Sequence, residues 1–548
     1  MAAEPIPTST NELARDAGAV SGPTLASRVL GLLRDSVLAS VLGAGTIMDV
    51  YATAFMIPNL FRRLVGEGAL SVAFVPIFTG WLQRSREEAR TVFNATWTLT
   101  AIAGVVITLV GIATAGPFID LFAPGFALTP GKRELATEML RICFPYIFFM
   151  SLLAVAMGAL NSLRHFFMPA FAPIVLNVLQ IAAALVGAYF VEGPPLHIVC
   201  WSVIAAGALQ LAIQIPVLRR VGMAPRPVFA FNHPAVRRLL VLMGPSVLGA
   251  SVYQFNLFIV RALASFQGEG AIAYLYYADR LLEFPLGVFV FAIGSASLTA
   301  LSRCVKAGDA EGVRRSFAGA LALAAALAVP STVGLVVLRE GLMGALFNWN
   351  TAVFGDEAVR GCARALLFYA LGLVPITAAR IYAQLLISHE NTSTPAWAAV
   401  VSVIVNGTSA LMLIGPLPAG SLPSALLPLQ HSIAFADLGY AGLALATTIA
   451  ALANVLFLAI WTARHHATPL FTRGDLVRHA KIALASLVMG VVLVGLETWA
   501  PLPLVASPRA LALLLLHVGI GGVLYLAVLR ALRSPEFGSL AALAQLRR

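Results

Sequence analysis

The stretch "IPNLFRRLVGEGA", residues 57–69, places two arginines and a glutamate inside a long apolar region of the chain. Apolar runs of about 20 residues, the length that crosses the hydrocarbon core of a bilayer, recur throughout the sequence. The 548 residues are 59% hydrophobic and only 11% charged, whereas a soluble domain carries about 25% charged residues. The strands of membrane β-barrels alternate polar and apolar residues, and no such alternation is present. The sequence therefore predicts an all-α polytopic membrane protein.

Fourteen membrane-spanning helices are expected, with boundaries good to a few residues. Their ranges are 21–42, 51–82, 92–115, 135–160, 169–191, 197–218, 239–266, 270–301, 315–338, 358–387, 395–415, 438–462, 480–499 and 509–530.

The distribution of lysine and arginine predicts the orientation of these spans, because cytoplasmic loops are enriched in both residues. If both termini are cytoplasmic, 22 of the 36 basic residues lie in cytoplasmic segments. The opposite side has five, among them Lys132 and Arg133 in one outer loop. The net charge of +11 is then mostly a topology signal, and no nucleic-acid partner is expected. Nine arginines remain inside spans or at their edges.

An internal repeat relates the first six spans to the next six. The segment "FMPAFAPIV" (167–175) resembles "STPAWAAVV" (393–401), and "ICFPYI" (142–147) is matched by "GLVPIT" (372–377). A six-span repeat keeps its orientation, so it predicts two lobes related by a pseudo-two-fold axis along the membrane normal, as in some transporters. The expected domains are a cytoplasmic segment 1–20, an N-lobe 21–218, a C-lobe 239–462, two additional spans within 480–530 and a cytoplasmic tail 531–548.

The charges inside the membrane concentrate in the first two spans of each lobe. In span 1, Arg28 and Asp35 are two helical turns apart and share a face. In span 2, Arg63 is expected to neighbour both Asn59 and Glu67, because residues four apart in a helix are adjacent. If these spans face each other, their charges line one central cavity. The candidate residues are Arg28, Arg34, Asp35, Asp49, Asn59, Arg62, Arg63, Glu67, Asp279, Arg280 and Glu283.

The excess of arginine over acid in spans 1 and 2 indicates an anionic cargo, because guanidinium groups bind phosphate oxygens in pairs. The alternative interpretation is that these residues form salt bridges that only set the conformation. No metal site is expected: the four cysteines are scattered and are interpreted as small apolar core residues. A membrane enzyme would need clustered carboxylates or a metal at one membrane face. The adjacent pair His465–His466 in a basic loop is the nearest candidate and is interpreted as a solvated turn.

Several motifs together resemble the MurJ (MviN) family of lipid II flippases, within the multidrug/oligosaccharidyl-lipid/polysaccharide exporter superfamily. They are "SRVLGLLRD" (27–35), "GAGTIMDVYATAFMIPNLFRRLVGEGALSVAFVPIF" (43–78), "LFAPGF" (121–126), "YYADRLLEFP" (276–285) and "GLALATT" (442–448). The resemblance implies that the candidate residues line the cavity, with Arg28, Arg62 and Arg280 contacting the pyrophosphate or its sugar. It also implies that Asp35, Asp49, Glu67 and Glu283 act in gating or orienting pairs, with Asp279 beside them.

By the same resemblance, the chain is expected to move lipid II, undecaprenyl-pyrophosphoryl-MurNAc-pentapeptide-GlcNAc, from the inner to the outer leaflet of the bacterial cytoplasmic membrane. The expected partners are lipid II, membrane lipids and the cell-wall synthesis machinery, and the last two spans would hold the polyprenyl tail. No cofactor is expected. Some members have an Asp in span 7 that helps to bind sodium, whereas this chain has Val260, so the membrane potential or protons are the expected energy source. The alternatives are an exporter of another lipid-linked glycan or amphiphile, and a partner-binding scaffold.

Overall fold

The computed structural model describes residues 10–63, 70–287, 291–421, 427–465 and 471–545, with backbone alone for 10–21, 71–72, 245–253, 291–292, 295 and 541–545. Within these ranges the fold is all-helical, and its one isolated β-bridge joins Ile414 and Asp437. This confirms the predicted fold class. The chain divides into two compact units, the first ending at Phe258 and the second beginning at Ile259.

The first unit contains ten helices and most of an eleventh, together with a short 3-10 helix at Pro124–Leu128. The helices are α1 (Thr10–Leu42), α2 (Thr46–Phe61), α3 (Ser71–Arg84), α4 (Arg86–Ala113), α5 (Ala115–Phe122), α6 (Lys132–Cys143), α7 (Tyr146–Ser162), α8 (Phe167–Phe190), α9 (Leu196–Ala212), α10 (Gln214–Arg220) and α11 (Pro234–Ala264).

The second unit contains the end of α11 and the remaining helices of the chain. They are α12 (Ala271–Pro285), α13 (Phe291–Lys306), α14 (Ala310–Val337), α15 (Arg339–Phe347), α16 (Gly355–Leu371), α17 (Leu373–Ser388), α18 (Ser393–Leu413), α19 (Leu427–Ile433), α20 (Tyr440–His465), α21 (Arg473–Trp499), α22 (Pro508–Ala531) and α23 (Pro535–Gln545).

Ten helical segments among the described residues are long and apolar enough to cross a membrane. They coincide with ten of the fourteen expected spans. The other four expected spans lie on α1, on α2 and α3, on α11, and on α12 and α13, which are the first two spans of each six-span repeat. These helices carry the intramembrane charges or adjoin segments outside the described residues. The total of fourteen stays a prediction.

Helix packing follows the same order inside each unit. In the first unit α2 packs on α6, α3 on both α4 and α7, α4 on α7, and α8 on α9. In the second unit α12 packs on α16, α13 on both α14 and α17, α14 on α17, and α18 on α20. Each of these pairs joins the spans that the sequence repeat places in register.

The backbone repeats in detail at the turns that precede α8 and α18. Arg164 and Glu390 both have φ of +61°, a left-handed conformation that non-glycine residues adopt rarely. Each turn ends its helix with the same bond across five residues: His165 N donates to Leu160 O, and Asn391 N donates to Leu386 O. A bond of this kind satisfies a carbonyl at the helix end that has no partner within the helix. The two turns therefore have one conformation, as the repeat predicts.

The last two long helices, α21 and α22, pack on each other and on α14. Pro330 lies inside α14 and has no N–H, so it cannot donate to the carbonyl of Ala326 one turn earlier. Tyr525 of α22 donates its hydroxyl to that carbonyl at 2.7 Å. At one end of the helix pair, Asn348 Nδ2 donates to Leu504 O at 2.8 Å and fastens the α21–α22 connection to the end of α15. The C-terminal helix pair thus supplies the hydrogen bond that the Ala326 carbonyl of α14 lacks within its own helix.

Candidate functional site

Arg34 and Asp35 of α1 form a buried ion pair in the first unit. They are 6% and 1% exposed, and Arg34 Nε and Nη2 donate to Asp35 Oδ1 at 3.0 and 2.7 Å. An arginine at the centre of a bilayer costs about 2.5–3.5 kcal/mol on insertion scales, and the adjacent carboxylate offsets part of that cost. The positive charge of Arg34 is therefore compensated within α1.

Asn177 of α8 also contacts this pair, and sequence reasoning did not single it out. Its Oδ1 accepts a hydrogen bond from Arg34 Nη1 at 3.1 Å, and its Nδ2 donates to Ser27 O at 2.9 Å. Asn177 is only 5% exposed. The sequence signal that could have identified Asn177 is its polar side chain within an otherwise apolar span. Polar groups buried in membrane proteins are expected to have hydrogen-bond partners.

Arg28, two turns before Asp35, is partly buried. It forms no hydrogen bond or ion pair with any residue that the structure describes. Arg28 differs in this respect from Arg34, although sequence reasoning placed the two together. To bind an anion, Arg34 would first have to break its ion pair with Asp35, whereas Arg28 has no ion pair among the described residues.

The charged end of α2 has a conformation that the sequence did not predict. Arg62 and Arg63 continue the helix in a wider, π-type turn, and such turns are frequent at functional sites. Asn59 Oδ1 accepts from Arg62 Nε at 2.8 Å, whereas the sequence predicted Arg63 as its neighbour. Asn59 and Arg62 are three residues apart, a spacing that also makes two helical residues neighbours. Glu67, the expected partner of Arg63, lies outside the described residues.

Asp49 forms a second buried ion pair, at the start of α2. Lys132 Nζ donates to Asp49 Oδ2 at 2.7 Å, with side chains 3% and 1% exposed. The ammonium group also lies 4.5 Å from the centroid of the Phe126 ring. Sequence reasoning counted Lys132 among the cations of the outer side, which stays a prediction; the structure shows that the residue begins α6 and is buried.

The second unit presents its charges on α12. Arg280 Nη1 donates to Glu283 Oε2 at 2.7 Å, and the guanidinium lies 4.8 Å from the centroid of the Tyr276 ring. Asp279, one residue earlier, is partly buried and interacts electrostatically with Arg261 of α11. The structure thus pairs Arg280 with Glu283 within α12, a partnership that sequence reasoning did not name, while Arg261 joins the group from the neighbouring helix.

The described part of the chain contains no group of three or more His, Cys, Asp or Glu residues that could hold a metal ion. The chemistry available is that of guanidinium donors, some already paired with carboxylates, beside amide and phenol groups. Such an arrangement suits the binding of an anion. His465, part of the pair considered in the sequence, stacks on Trp461 at a centroid separation of 4.1 Å.

Comparisons with known proteins agree with this picture. A family model described as lipid II flippase MurJ matches residues 38–507. A lipid II flippase MurJ of Burkholderia cenocepacia is 36% identical over 80% of this chain and 81% of its own length. A probable lipid II flippase MurJ of Vibrio cholerae is 34% identical over 93% of this chain and 94% of its own length.

Two solved structures share the fold. A lipid II flippase MurJ in an inward closed conformation matches with a TM-score of 0.72 at 24% identity, covering 93% of this chain and 97% of that one. An inward-facing multidrug resistance MATE transporter of the MOP superfamily matches with a TM-score of 0.63 at 16% identity, covering 83% and 95%. Because the family model and the relatives span most of the sequence, the chain belongs to the MurJ family of lipid II flippases.

Proposed function

We propose that this protein flips lipid II from the inner to the outer leaflet of the bacterial cytoplasmic membrane by alternating access. Family membership supports the substrate and the membrane, and the helices of α1, α2 and α12 supply the anion-binding groups. Its partners are then lipid II itself, the surrounding membrane lipids and the enzymes of cell-wall synthesis. The observation that carries the proposal is the presence of partly buried arginines with available donors in helices of a membrane protein that is otherwise apolar.

The arginines differ in what they can offer a pyrophosphate. Arg28 and Arg63 form no hydrogen bond or ion pair with the described residues, and Arg62 Nε donates to Asn59 Oδ1 among its contacts. Arg280 is paired with Glu283, so it must exchange that carboxylate for the substrate. We therefore assign the first anion contact to Arg28, Arg62 and Arg63, and a later contact, coupled to release of Glu283, to Arg280.

Orientation and energy source extend the proposal. Both termini are placed in the cytoplasm because 22 basic residues then lie on the cytoplasmic side and five on the other. The α21–α22 pair provides the apolar surface for the polyprenyl tail, with exposed side chains such as Leu487, Val491 and Leu515. Val260 offers no ligand to sodium, so the membrane potential or protons drive the cycle.

Depletion of the native flippase from a bacterial strain, with this chain supplied on a plasmid, tests the proposal. We expect the wild-type chain to restore growth and to restore outer-leaflet lipid II, measured by access of an externally added lipid II hydrolase. Arg62→Ala should reach the membrane at normal levels and fail to restore either. Arg141→Ala is the matched control, because Arg141 is an exposed arginine of α6.

Three outcomes would contradict the proposal or a part of it. Restored growth with Arg62→Ala would remove Arg62 from the substrate site. Failure of the wild-type chain to move lipid II, together with export of a different lipid-linked glycan, would favour another member of the exporter superfamily. Covalent change of lipid II by the purified protein would instead indicate a membrane enzyme.

A further inference from the structure

Asn177 is the contact between α1 and α8 that bears on the function of the candidate site. It is 5% exposed and lies in α8, whose side chains are mostly apolar. Both ends of its amide are used, one toward a side chain of α1 and the other toward the α1 backbone. An amide buried in a membrane protein needs such partners, because lipid supplies none.

The two hydrogen bonds of Asn177 contact α1 at two positions, Ser27 and Arg34. Asn177 Oδ1 accepts from Arg34 Nη1 at 3.1 Å, and Asn177 Nδ2 donates to Ser27 O at 2.9 Å. Side chains of a helix lean toward its N-terminus, so Arg34 extends back toward the turn that begins at Ser27. A single amide therefore fixes the whole segment from Ser27 to Arg34.

Arg28 follows Ser27 directly and lies inside the segment from Ser27 to Arg34. It is partly buried and has no hydrogen bond or ion pair within the described ranges. Nothing attached to its own guanidinium sets its direction. The rotation of α1 about its axis therefore decides where Arg28 points, and the Asn177 bond to the Ser27 carbonyl acts directly on that rotation.

Arg34 is the side chain of α1 that Asn177 binds. Its Nε and Nη2 donate to Asp35 Oδ1, which compensates its charge, whereas Arg28 has no ion-pair partner among the described residues. Helix pairs in membranes use hydrogen bonds of this kind to fix their packing.

We propose that Asn177 is a positioning residue that orients Arg28 toward the substrate pyrophosphate by holding Ser27 and Arg34 of α1. The inference rests on the proposed function, since it assumes a lipid-linked pyrophosphate as the substrate. Asn177 itself makes no contact with the substrate.

The test is a double-mutant cycle on the purified full-length protein, with fluorescent lipid II as the binding probe. Asn177→Leu keeps the number and branching of the side-chain heavy atoms and removes both hydrogen bonds, and we expect it to weaken lipid II binding about tenfold, the value of one charged hydrogen bond. In an Arg28→Ala background the same change should weaken binding less than about twofold, because the group that it positions is gone. Asn177→Ser, too short to span both partners, should behave like Asn177→Leu and serves if the leucine variant does not fold.

Gln180→Leu is the matched control. Gln180 is also in α8 and fully buried, and its amide bonds Tyr51 of α2 at 2.6 Å rather than α1. It should weaken binding equally, if at all, in the wild-type and Arg28→Ala backgrounds.

Equal loss from Asn177→Leu in both backgrounds would overturn the inference and leave Asn177 a packing residue. Unchanged binding by both Asn177 variants, with the wild-type chain binding lipid II, would do the same. A wild-type chain that does not bind lipid II would instead overturn the proposed function.

Discussion

Lys132 Nζ of α6 lies 2.7 Å from Asp49 Oδ2 of α2, and both side chains are almost completely buried. The Phe126 ring lies beside the same ammonium group. Asp49 and Phe126 belong to two separate family-like motifs, 43–78 and 121–126, and Lys132 is the residue through which they meet. The Lys132–Asp49 ion pair therefore links the start of α2 to the start of α6.

Removal of one partner of this ion pair should destabilise the protein more than removal of both. Lys132→Met leaves Asp49 buried without its cation, and breaking a buried pair in this way costs about 3–5 kcal/mol. The double variant Lys132→Met with Asp49→Leu should recover most of that loss, because no buried charge remains. Unfolding of the single and double variants in mixed micelles measures the difference, and additive losses would contradict the assignment.

The contribution of the Tyr525–Ala326 hydrogen bond to stability should depend on Pro330. Tyr525→Phe should reduce the unfolding free energy by about 1–3 kcal/mol, because the buried Ala326 carbonyl loses its donor. In a Pro330→Ala background residue 330 regains an N–H that can donate to this carbonyl, so Tyr525→Phe should cost less. The same cost in both backgrounds, measured by thermal unfolding, would show that Pro330 does not create the need for Tyr525.

Much of the fold could be predicted from the sequence, because membrane helices must be apolar and must satisfy their own backbone. The repeat, and with it the matching turns at Arg164 and Glu390, followed from short similarities at a constant spacing. The π-type turn at Arg62 and Arg63 could not be predicted, since hydropathy and spacing carry no signal for one additional residue in a turn.

The candidate site was predicted less completely than the fold. The family resemblance assigned Asp35 and Glu283 to gating or orienting pairs, and the structure shows each bonded to an arginine of its own helix. The partners that come from distant parts of the chain, Asn177 and Lys132, could not be found by spacing within one helix. Lys132 was also counted as an outer-loop residue, because an ammonium group near a helix end looks the same in sequence whether it is solvated or buried.

The buried carboxylate of Glu536 predicts a pH dependence for the attachment of α23. Burial opposes its ionisation, but hydrogen bonds from Ser534, the backbone and Arg478 outweigh burial and lower the pKa of Glu536 below its usual 4.5. A lowered pKa stabilises the folded state above the unfolded value, and this contribution is lost as the pH falls through the folded value.

Glu536→Gln should therefore loosen α23 at pH 7 and make little difference in acid, below the folded pKa. Hydrogen exchange of the α23 peptides, corrected for the intrinsic effect of pH, compares the two proteins. Glu390→Gln, a change in an exposed turn, is the control. Equal protection of α23 in wild type and Glu536→Gln at pH 7 would contradict the prediction.

Tyr276 should support the function of Arg280 through its ring rather than its hydroxyl. The guanidinium lies 4.8 Å from the ring centroid, while the hydroxyl is a distant partner at 3.4 Å. Tyr276→Phe should therefore restore growth of a flippase-depleted strain, and Tyr276→Leu should restore it poorly, because a cation–π contact contributes about 0.5–2 kcal/mol. Equal growth with the phenylalanine and leucine variants, at equal membrane levels, would show that the ring does not matter.

Gly344 of α15 allows the connection between α21 and α22 to pack directly against this helix. A Cβ at this position would lie 2.6 Å from Leu504 Cα, and a backbone atom cannot move aside as the end of a flexible side chain can. Gly344→Ala should displace the 500–507 segment and lower the melting temperature. Gly334→Ala, in α14 where a Cβ would meet nothing within 4 Å, should leave it unchanged or raise it, since alanine favours a helix by about 1 kcal/mol. If both variants melt alike, the contact of Gly344 with Leu504 does not hold the connection in place.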